Sequence, residues 1–274
     1  MSVSETRRIV LPKPKPRVPR WITGTLEVVA LPLVILAAWS VSAMLAPNNR
    51  FPSLWVIGEA FGQTWFGSAL TVDVLPSIGR LITGILIAII AGVAIGLLVG
   101  SIRWLRSLLE PVFEFFRAIP PPMLVPLLAL ALGIGDQAKV LVIVAGAIWP
   151  VLLNTVEGVR AIDSVQREAA RSYQLSAARR VVSIVLPSAS PQIMAGVRQC
   201  ISIALILMVI SEMSASSSGI GYQILVFQTN YQYAQMWSGV ILLGLIGILL
   251  ALLFQLAERV VLGWYHGLKG AERA

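Results

Sequence analysis

Apolar positions in this chain do not alternate with polar ones; they run together. Six runs, at about 26–46, 75–100, 119–135, 138–159, 190–213 and 238–262, are separated by short polar stretches. At 1.5 Å per residue most of them reach the roughly 30 Å of a hydrocarbon core. The pattern predicts an all-α polytopic membrane protein with six transmembrane helices. The third run, "IPPPMLVPLLALALGIG", is short and starts in the cluster Pro120, Pro121, Pro122. Proline removes a donor and pushes the residue before it into extended backbone, so this run is expected to enter the membrane broken. Broken backbone is tolerated at that depth only inside protein or along a wet cavity.

Two finer patterns lie within this frame. Gly84, Ala88, Gly92, Gly96 and Gly100 recur every four residues, a small-residue stripe that lets another backbone approach closely. It suits packing within one subunit and packing between subunits equally. Residues 53–65 place Leu54, Ile57, Phe61 and Trp65 at helical spacing, with Ser53 as a possible cap. They predict a helix at the outer interface that anchors the chain and could receive a partner.

Charge gives the runs a direction. The 274 residues are 57% hydrophobic and only 12% charged, with a net charge of +8, against about 25% charged in an ordinary soluble domain. Most of the basic residues fall in the N-terminal arm, the 103–117 loop, the 160–180 loop and the tail, while 47–74 offers only Arg50 and 214–237 no Lys or Arg. The positive-inside rule then puts both termini in the cytoplasm. The domain reading is a basic, proline-rich arm at 1–25 that touches anionic lipid and is not a signal peptide. A transmembrane domain follows at 26–262, then a cytoplasmic tail at 263–274. Basic residues gathered at loops are a topology signal, and nucleic-acid binding is not expected. One cysteine, Cys200, in an apolar run, and one histidine, His266, in the tail build neither a disulfide framework nor a metal site.

The sequence holds no phosphate-binding loop or other nucleotide fingerprint, so no catalytic residue and no cofactor is assigned to it. An ion-coupled carrier would carry carboxylates near the bilayer midplane. Glu27, Glu157 and Glu212 all lie near helix ends instead. Arg80 and Glu212 fall at similar depths near the outer ends of their helices and are expected to pair. Exchanging the two charges would then preserve the pair. Arg198, two turns into the fifth run, either attracts an anion or snorkels to the inner face. Asn154 beside Glu157 either lines a path or bonds between helices. Arg80, Asn154, Arg198 and Glu212 are the candidate path residues.

The stretch 160–187 has the chemistry of a docking surface. Asp163 can cap a helix, Gln166 stands where a capping box closes, and Glu168 falls in the first turn, where the dipole favours a carboxylate. Ala169 and Ala170 leave a flat patch, and Ile184, Val185 and Leu186 return the chain to the membrane before Pro187. Within it, "EAARSYQLSAARRVVSIVLP" resembles the E-A-A signature of the permease subunits of binding-protein-dependent ABC importers: E-A-A, three residues, Gly, nine residues, I-x-L-P. Glu168, Ala169, Ala170, Ile184, Leu186 and Pro187 match, and Gln174 stands at the family's glycine. A glycine there permits a sharp turn; Gln174 should let the helix run on toward Ala177 or demand another bend. "RWLRSLLEPVFEFFRAIPPPMLVPLLALALGIGDQAKV" and "SEMSASSSGIGYQI" are similar to the nitrate, taurine and aliphatic sulfonate branch.

The resemblance implies a type I ABC importer permease fold in the bacterial inner membrane. It implies coupling through Glu168, Ala169, Ala170, Gln174, Ile184, Leu186 and Pro187 to two cytoplasmic ATPase subunits that bind the ATP. It further implies an extracytoplasmic substrate-binding protein, a permease homodimer and a small anionic solute. The alternatives are a stand-alone ion-coupled carrier and a membrane scaffold that recruits a soluble protein.

Overall fold

The computed structural model describes residues 20–45, 50–214 and 216–265, without the side chains of 20–29 and of Arg171. The arm expected at 1–25 (apart from the backbone of 20–25), the Glu27 side chain, His266 and the rest of the tail lie outside the described residues. Two compact units divide at Leu54. The first carries α1, Arg20–Leu45, so helix starts six residues before the expected 26. Within α1, the Trp39 indole donates to the carbonyl of Pro52, beyond the helix end, at 3.0 Å and meets Phe51 edge-on.

The second unit holds α2 (Leu54–Trp65), α3 (Leu70–Ser101), α4 (Arg103–Ala118), α5 (Leu124–Leu132), α6 (Asp136–Arg160), α7 (Ser164–Ser172), α8 (Ala177–Ser214), α9 (Ile220–Thr229) and α10 (Tyr233–Val261). Among the described residues four helices, α3, α6, α8 and α10, are long and apolar enough to cross a membrane. A fifth span counts if α4 and the Pro121–Leu132 segment, bent by 74°, are taken as one broken crossing. The break falls where the prolines stand: Pro120 is extended and Pro121–Met123 forms a single 3₁₀ turn.

Two expectations are corrected. The "103–117 loop" is the helix α4, with no buried residue: Leu105, Leu109 and Phe113 rest half-buried on Val99, Leu152 and Val156, while Trp104, Leu108 and Phe115 stay exposed. The fifth run does not begin at 190 but continues a helix started at Ala177. The reason is local. Pro187 cannot donate to the carbonyl four residues back, and the chain absorbs this with a π-helical turn, Val181–Val185, closed by Leu186 N–H on the Val181 carbonyl. The same device precedes Pro76, where Leu70–Val74 is a π turn closed by Leu75 N–H on Leu70. This extends α3 five residues above the expected start.

Glycine sets the core. A Cβ on Gly84 would lie 2.5 Å from Ile143, on Gly92 2.9 Å from Val151, on Gly96 2.6 Å from Thr155 and on Gly100 2.9 Å from Val159. The stripe therefore packs within the subunit, against α6. In all four pairs the partner is 59 residues on (143 − 84, 151 − 92, 155 − 96, 159 − 100), so α3 and α6 run parallel. The chain between them must travel back, which is what the bent α4–α5 segment does. Gly158 meets Ala189 while Gly146 meets Leu207, so α8 is antiparallel to α6. Gly247 against Leu205 and Glu258 against Arg198 make α10 antiparallel to α8. One end of the bundle thus collects Arg103, Arg106, Arg160, Arg179, Arg180 and Arg259; the other collects a cluster of buried polar groups.

Candidate functional sites

The buried cluster starts on α3, where Asp73, Ser77 and Arg80 sit at i, i+4 and i+7 and so share one face. All three are buried, as is Glu212 near the end of α8. Arg80 Nη1 lies 2.7 Å from Glu212 Oε1, and Arg80 Nε lies 2.7 Å from Asp136 Oδ1 at the start of α6. Lys139 Nζ is 3.8 Å from the same Asp136 oxygen. The remaining Arg80 donors reach Ser218, on its carbonyl at 3.2 Å and its hydroxyl at 3.3 Å.

The other half of the cluster is the start of α9. The first N–H groups of a helix have no partner within it. Here Gly219 N–H donates to Asp73 Oδ1 (2.8 Å), Ile220 N–H to Ser77 Oγ (3.0 Å) and Gly221 N–H to Glu212 Oε2 (3.0 Å). Ser77 Oγ in turn donates to Glu212 Oε1 at 2.7 Å, and the Gln223 amide donates to Asp73 Oδ2 at 3.0 Å. Three carboxylates face two cations and the positive end of a helix dipole, so the charges balance closely. Gly219 has φ +125°, and a Cβ on it would sit 2.4 Å from the Glu212 carboxyl carbon. Only glycine brings the backbone this near. Arg80 and Glu212 were legible as charges in apolar runs. Asp73, Ser77 and Gly219 were missed, although the i, i+4, i+7 spacing of Asp73 and Ser77 with Arg80 was a usable signal.

The expected interface helix α2 is tied into this end. Ile57, Ala60 and Trp65 are buried, the Trp65 indole donates to Ser238 Oγ of α10 at 2.9 Å, and its ring meets Phe227 of α9 edge-on. Trp55 stays exposed.

The remaining path candidates stand apart from this cluster. Arg198 lies against α10, with Nη2 2.5 Å from Glu258 and its guanidinium over the Phe254 ring. Asn154 donates to the Pro150 carbonyl within α6 at 2.7 Å and accepts from Gln192 of α8 at 3.2 Å, so it bonds between helices. It also lines a cavity of about 580 Å³ between the α4–α5 break, α6 and α8.

At the basic end, α7 projects between α6 and α8. Asp163 Oδ1 accepts from Val165 N–H at 3.0 Å and so caps the helix. Gln166 does not close a capping box; its side-chain Oε1 accepts from Ser188 Oγ at 3.2 Å, linking α7 to α8. Arg167 Nη2 donates to the Val159 and Arg160 carbonyls, both at 2.9 Å, and stoppers the end of α6. Glu168 and Ala169 are exposed, with Val165 and Tyr173 also open to the outside, but Ala170 is buried against the bundle. The flat patch expected of both alanines is therefore made by Ala169 alone. Behind Ala170 lies a cavity of about 150 Å³ lined by Gly100, Val159, Arg167, Arg180 and Ile184. Ile184 and Pro187 are half-buried and Leu186 is partly exposed.

Gln174 resolves differently from both expectations. The helix ends at Ser172, and Gln174 itself takes φ +50°, the left-handed region that glycine favours. Leu175 N–H then reaches the Ala170 carbonyl at 3.1 Å and Tyr173 N–H the Ala169 carbonyl at 2.9 Å, a helix stop of the Schellman type. The turn is kept without the glycine.

Comparison with known proteins agrees with this geometry. Residues 84–262 match the family described as binding-protein-dependent transport system inner membrane component. The putative aliphatic sulfonates transport permease protein SsuC of Bacillus subtilis is 31% identical, over 91% of this chain and 90% of its own. Its namesake from Escherichia coli is also 31% identical, over 86% and 92%. The bicarbonate transport system permease protein CmpB of Synechococcus elongatus is 36% identical over 64% of each chain. In fold, a chain of the MetNI methionine ABC transporter aligns with a TM-score of 0.58 at 17% identity, covering 76% of this chain and 97% of that one. With its parallel α3–α6 pair, its bent return between them and its E-A-A element at the basic end, the chain belongs to the inner membrane components of binding-protein-dependent transport systems: it is a permease of the ABC importer class.

Proposed function

We propose that this permease carries a small oxyanion inward, of the sulfonate and bicarbonate kind named for its relatives. It draws its energy through α7 from two cytoplasmic ATPase subunits and receives solute from an extracytoplasmic binding protein. The arrangement is a homodimer, each copy with six spans, α1 among them, and both termini in the cytoplasm. α1 is 26 residues long, enough at 1.5 Å per residue for about 39 Å.

The observation that carries this reading is α7. It is a short helix stopped at both ends, placed where the arginines gather, with Glu168 and Ala169 turned outward and Ala170 and Arg167 binding it to the bundle. Such an element can pass a push on Glu168 and Ala169 into α6 and α8 as one rigid piece. Coupling thus falls to Glu168 and Ala169 for contact, and to Ala170, Gln174, Ile184, Leu186 and Pro187 for the seat. Arg80 and Glu212 close the outer end. Their carboxylate and guanidinium are spent on fixed donors and acceptors, which disfavours a carrier that must load and release protons or sodium there.

Reconstitution tests the reading. In liposomes holding the permease with its ATPase and binding protein, uptake of ethanesulfonate or bicarbonate requires ATP and binding protein. An ion gradient alone gives none. Uptake driven by the gradient without ATP overturns it.

A further inference from the structure

Gln199 stands 13 residues after Leu186 and 15 before Ser214, at the middle of a membrane-crossing helix. It is exposed, and its amide has no hydrogen-bond partner among the described residues. Burying an unpaired amide in an apolar medium costs roughly 2–7 kcal/mol, so a lipid-facing Gln at this depth is strongly disfavoured. The Trp149 indole N–H, 13 residues after Asp136 and 11 before Arg160, is likewise without a partner among the described residues. Its ring lies against Phe113 and Phe116. Both side chains line the 580 Å³ cavity that Asn154 borders, and so do Pro121 and Pro122 of the broken segment. Non-helical backbone at membrane depth belongs inside protein or beside water. Two orphan donors and a chain break therefore converge on one hollow.

We propose that this hollow is a transient solute site on the translocation path, in which Gln199 and Trp149 donate to a small oxyanion. The inference rests on the reading of the chain as an import permease and adds the residues that meet the solute. The charge of the wall selects the class: its lining includes the guanidinium of Arg117 and the amides of Asn154 and Gln199, and no carboxylate. Arg117 is half-exposed and shared with Glu114 at 2.6 Å, so its pull is partial. Neutral donors backed by a weakened cation bind an anion without trapping it, as conduction through a membrane requires. The candidates Arg80 and Arg198 lie outside this wall, each already committed to carboxylates.

Thiol chemistry tests the site with no knowledge of the natural solute. In a Cys200→Ala background, Gln199→Cys and, one turn on, Ile203→Cys are compared with Leu249→Cys, which lies on the exposed face of α10. The full chain is used in membranes together with its ATPase. The probes are a small anionic sulfonatoethyl methanethiosulfonate and its cationic trimethylammonium counterpart, each normalised to its rate with a free thiol. At 199 or 203 the anionic probe is expected to react at least 10-fold faster than at 249, and at least 3-fold faster than the cationic probe. Reaction at both positions no faster than at 249 overturns the site. A cationic preference overturns the anion class. Complete spontaneous disulfide formation between two Gln199→Cys chains makes 199 a contact between copies and also overturns the proposal. Co-purification of the ATPase, scored on the same samples, reports on the importer reading separately.

Discussion

The two ends of the bundle solve the same problem, holding a short helix against long ones, in opposite ways. At the end opposite α7, the N–H groups of Gly219, Ile220 and Gly221, where α9 begins, are held by Asp73, Ser77 and Glu212 from other helices, and Arg80 ties that set to Asp136 and Ser218. Asp73, Ser77, Arg80 and Glu212 are buried there and each has two or more partners. At the basic end, α7 is held by Arg167, by one hydroxyl on Gln166 and by Ala170, and shows Val165, Glu168 and Ala169 to the outside. A fully satisfied polar cluster specifies one arrangement. A helix with few ties and an open face is one that a partner can grip. On the proposed coupling through α7, the first end suits a unit that moves as a block and the second a handle.

The sharpest way to break this contrast is to open the block. Glu212→Ala leaves Arg80 buried with only Asp136 as counter-charge and frees Gly221 N–H. Removing one partner of a buried pair costs about 3–5 kcal/mol. The expected result is a large fall in the melting temperature of the purified permease, or loss of folded protein from the membrane. The exchange Arg80→Glu with Glu212→Arg is expected not to rescue it, against the simple pairing read from sequence. An arginine at 212 cannot accept from Ser77 or Gly221 and would point a cation at the positive end of α9. Rescue to wild-type stability would reduce the cluster to one ion pair.

Gly219→Ala comes next. It strains a backbone at φ +125° and drives a methyl group onto the Glu212 carboxyl. A strained position of this kind costs about 1–3 kcal/mol before the clash is counted. Loss of thermal stability smaller than that of Glu212→Ala is expected; an unchanged melting temperature would mean that the loop 216–219 is not clamped.

How much of this was legible differs between the two ends for physical reasons. Arg80 and Glu212 stood out because a charge in an apolar run needs a partner. The basic end was legible because charge fixes topology and because the capping signal around Asp163 is local. What escaped the sequence depends on contacts between distant segments: Asp73 capping Gly219 across 146 residues, Gln166 turning to Ser188 instead of its own helix, and Ala170 facing inward while Ala169 faces out. The start of α8 at Ala177 escaped too, because a π turn carries the helix into Pro187 where proline alone argues for a stop.

At the handle, the tie is expected to be weaker than any part of the block. Arg167→Ala removes two charge-assisted bonds to the last carbonyls of α6. Such bonds contribute about 1.5–3 kcal/mol when buried, and this side chain is largely exposed, so roughly 1 kcal/mol is the expected loss. Amide hydrogen exchange should show it as faster exchange confined to α7 and the end of α6, with the α9 amides unchanged. Spread of the effect to α9 would mean that the two ends are one cooperative unit.

The smallest effect, and the one of opposite sign, is Gln174→Gly. The left-handed conformation at φ +50° costs a residue with a Cβ about 1–2 kcal/mol relative to the right-handed helix, and glycine avoids that cost. Part of the gain is lost because glycine also has more freedom to lose on folding, commonly put at 0.5–1 kcal/mol. The net expectation is a stabilisation of α7 by about 0.5–1 kcal/mol, read as two- to five-fold slower exchange of the Tyr173 and Leu175 amides, whose bonds close the stop. If the native glutamine is kept to leave α7 loosely seated, the glycine variant should also hold the ATPase more tightly and turn over more slowly. Tighter seating with unchanged turnover would assign Gln174 to local backbone geometry alone. Faster exchange at those two amides would mean that its side chain, and not its backbone, holds the turn.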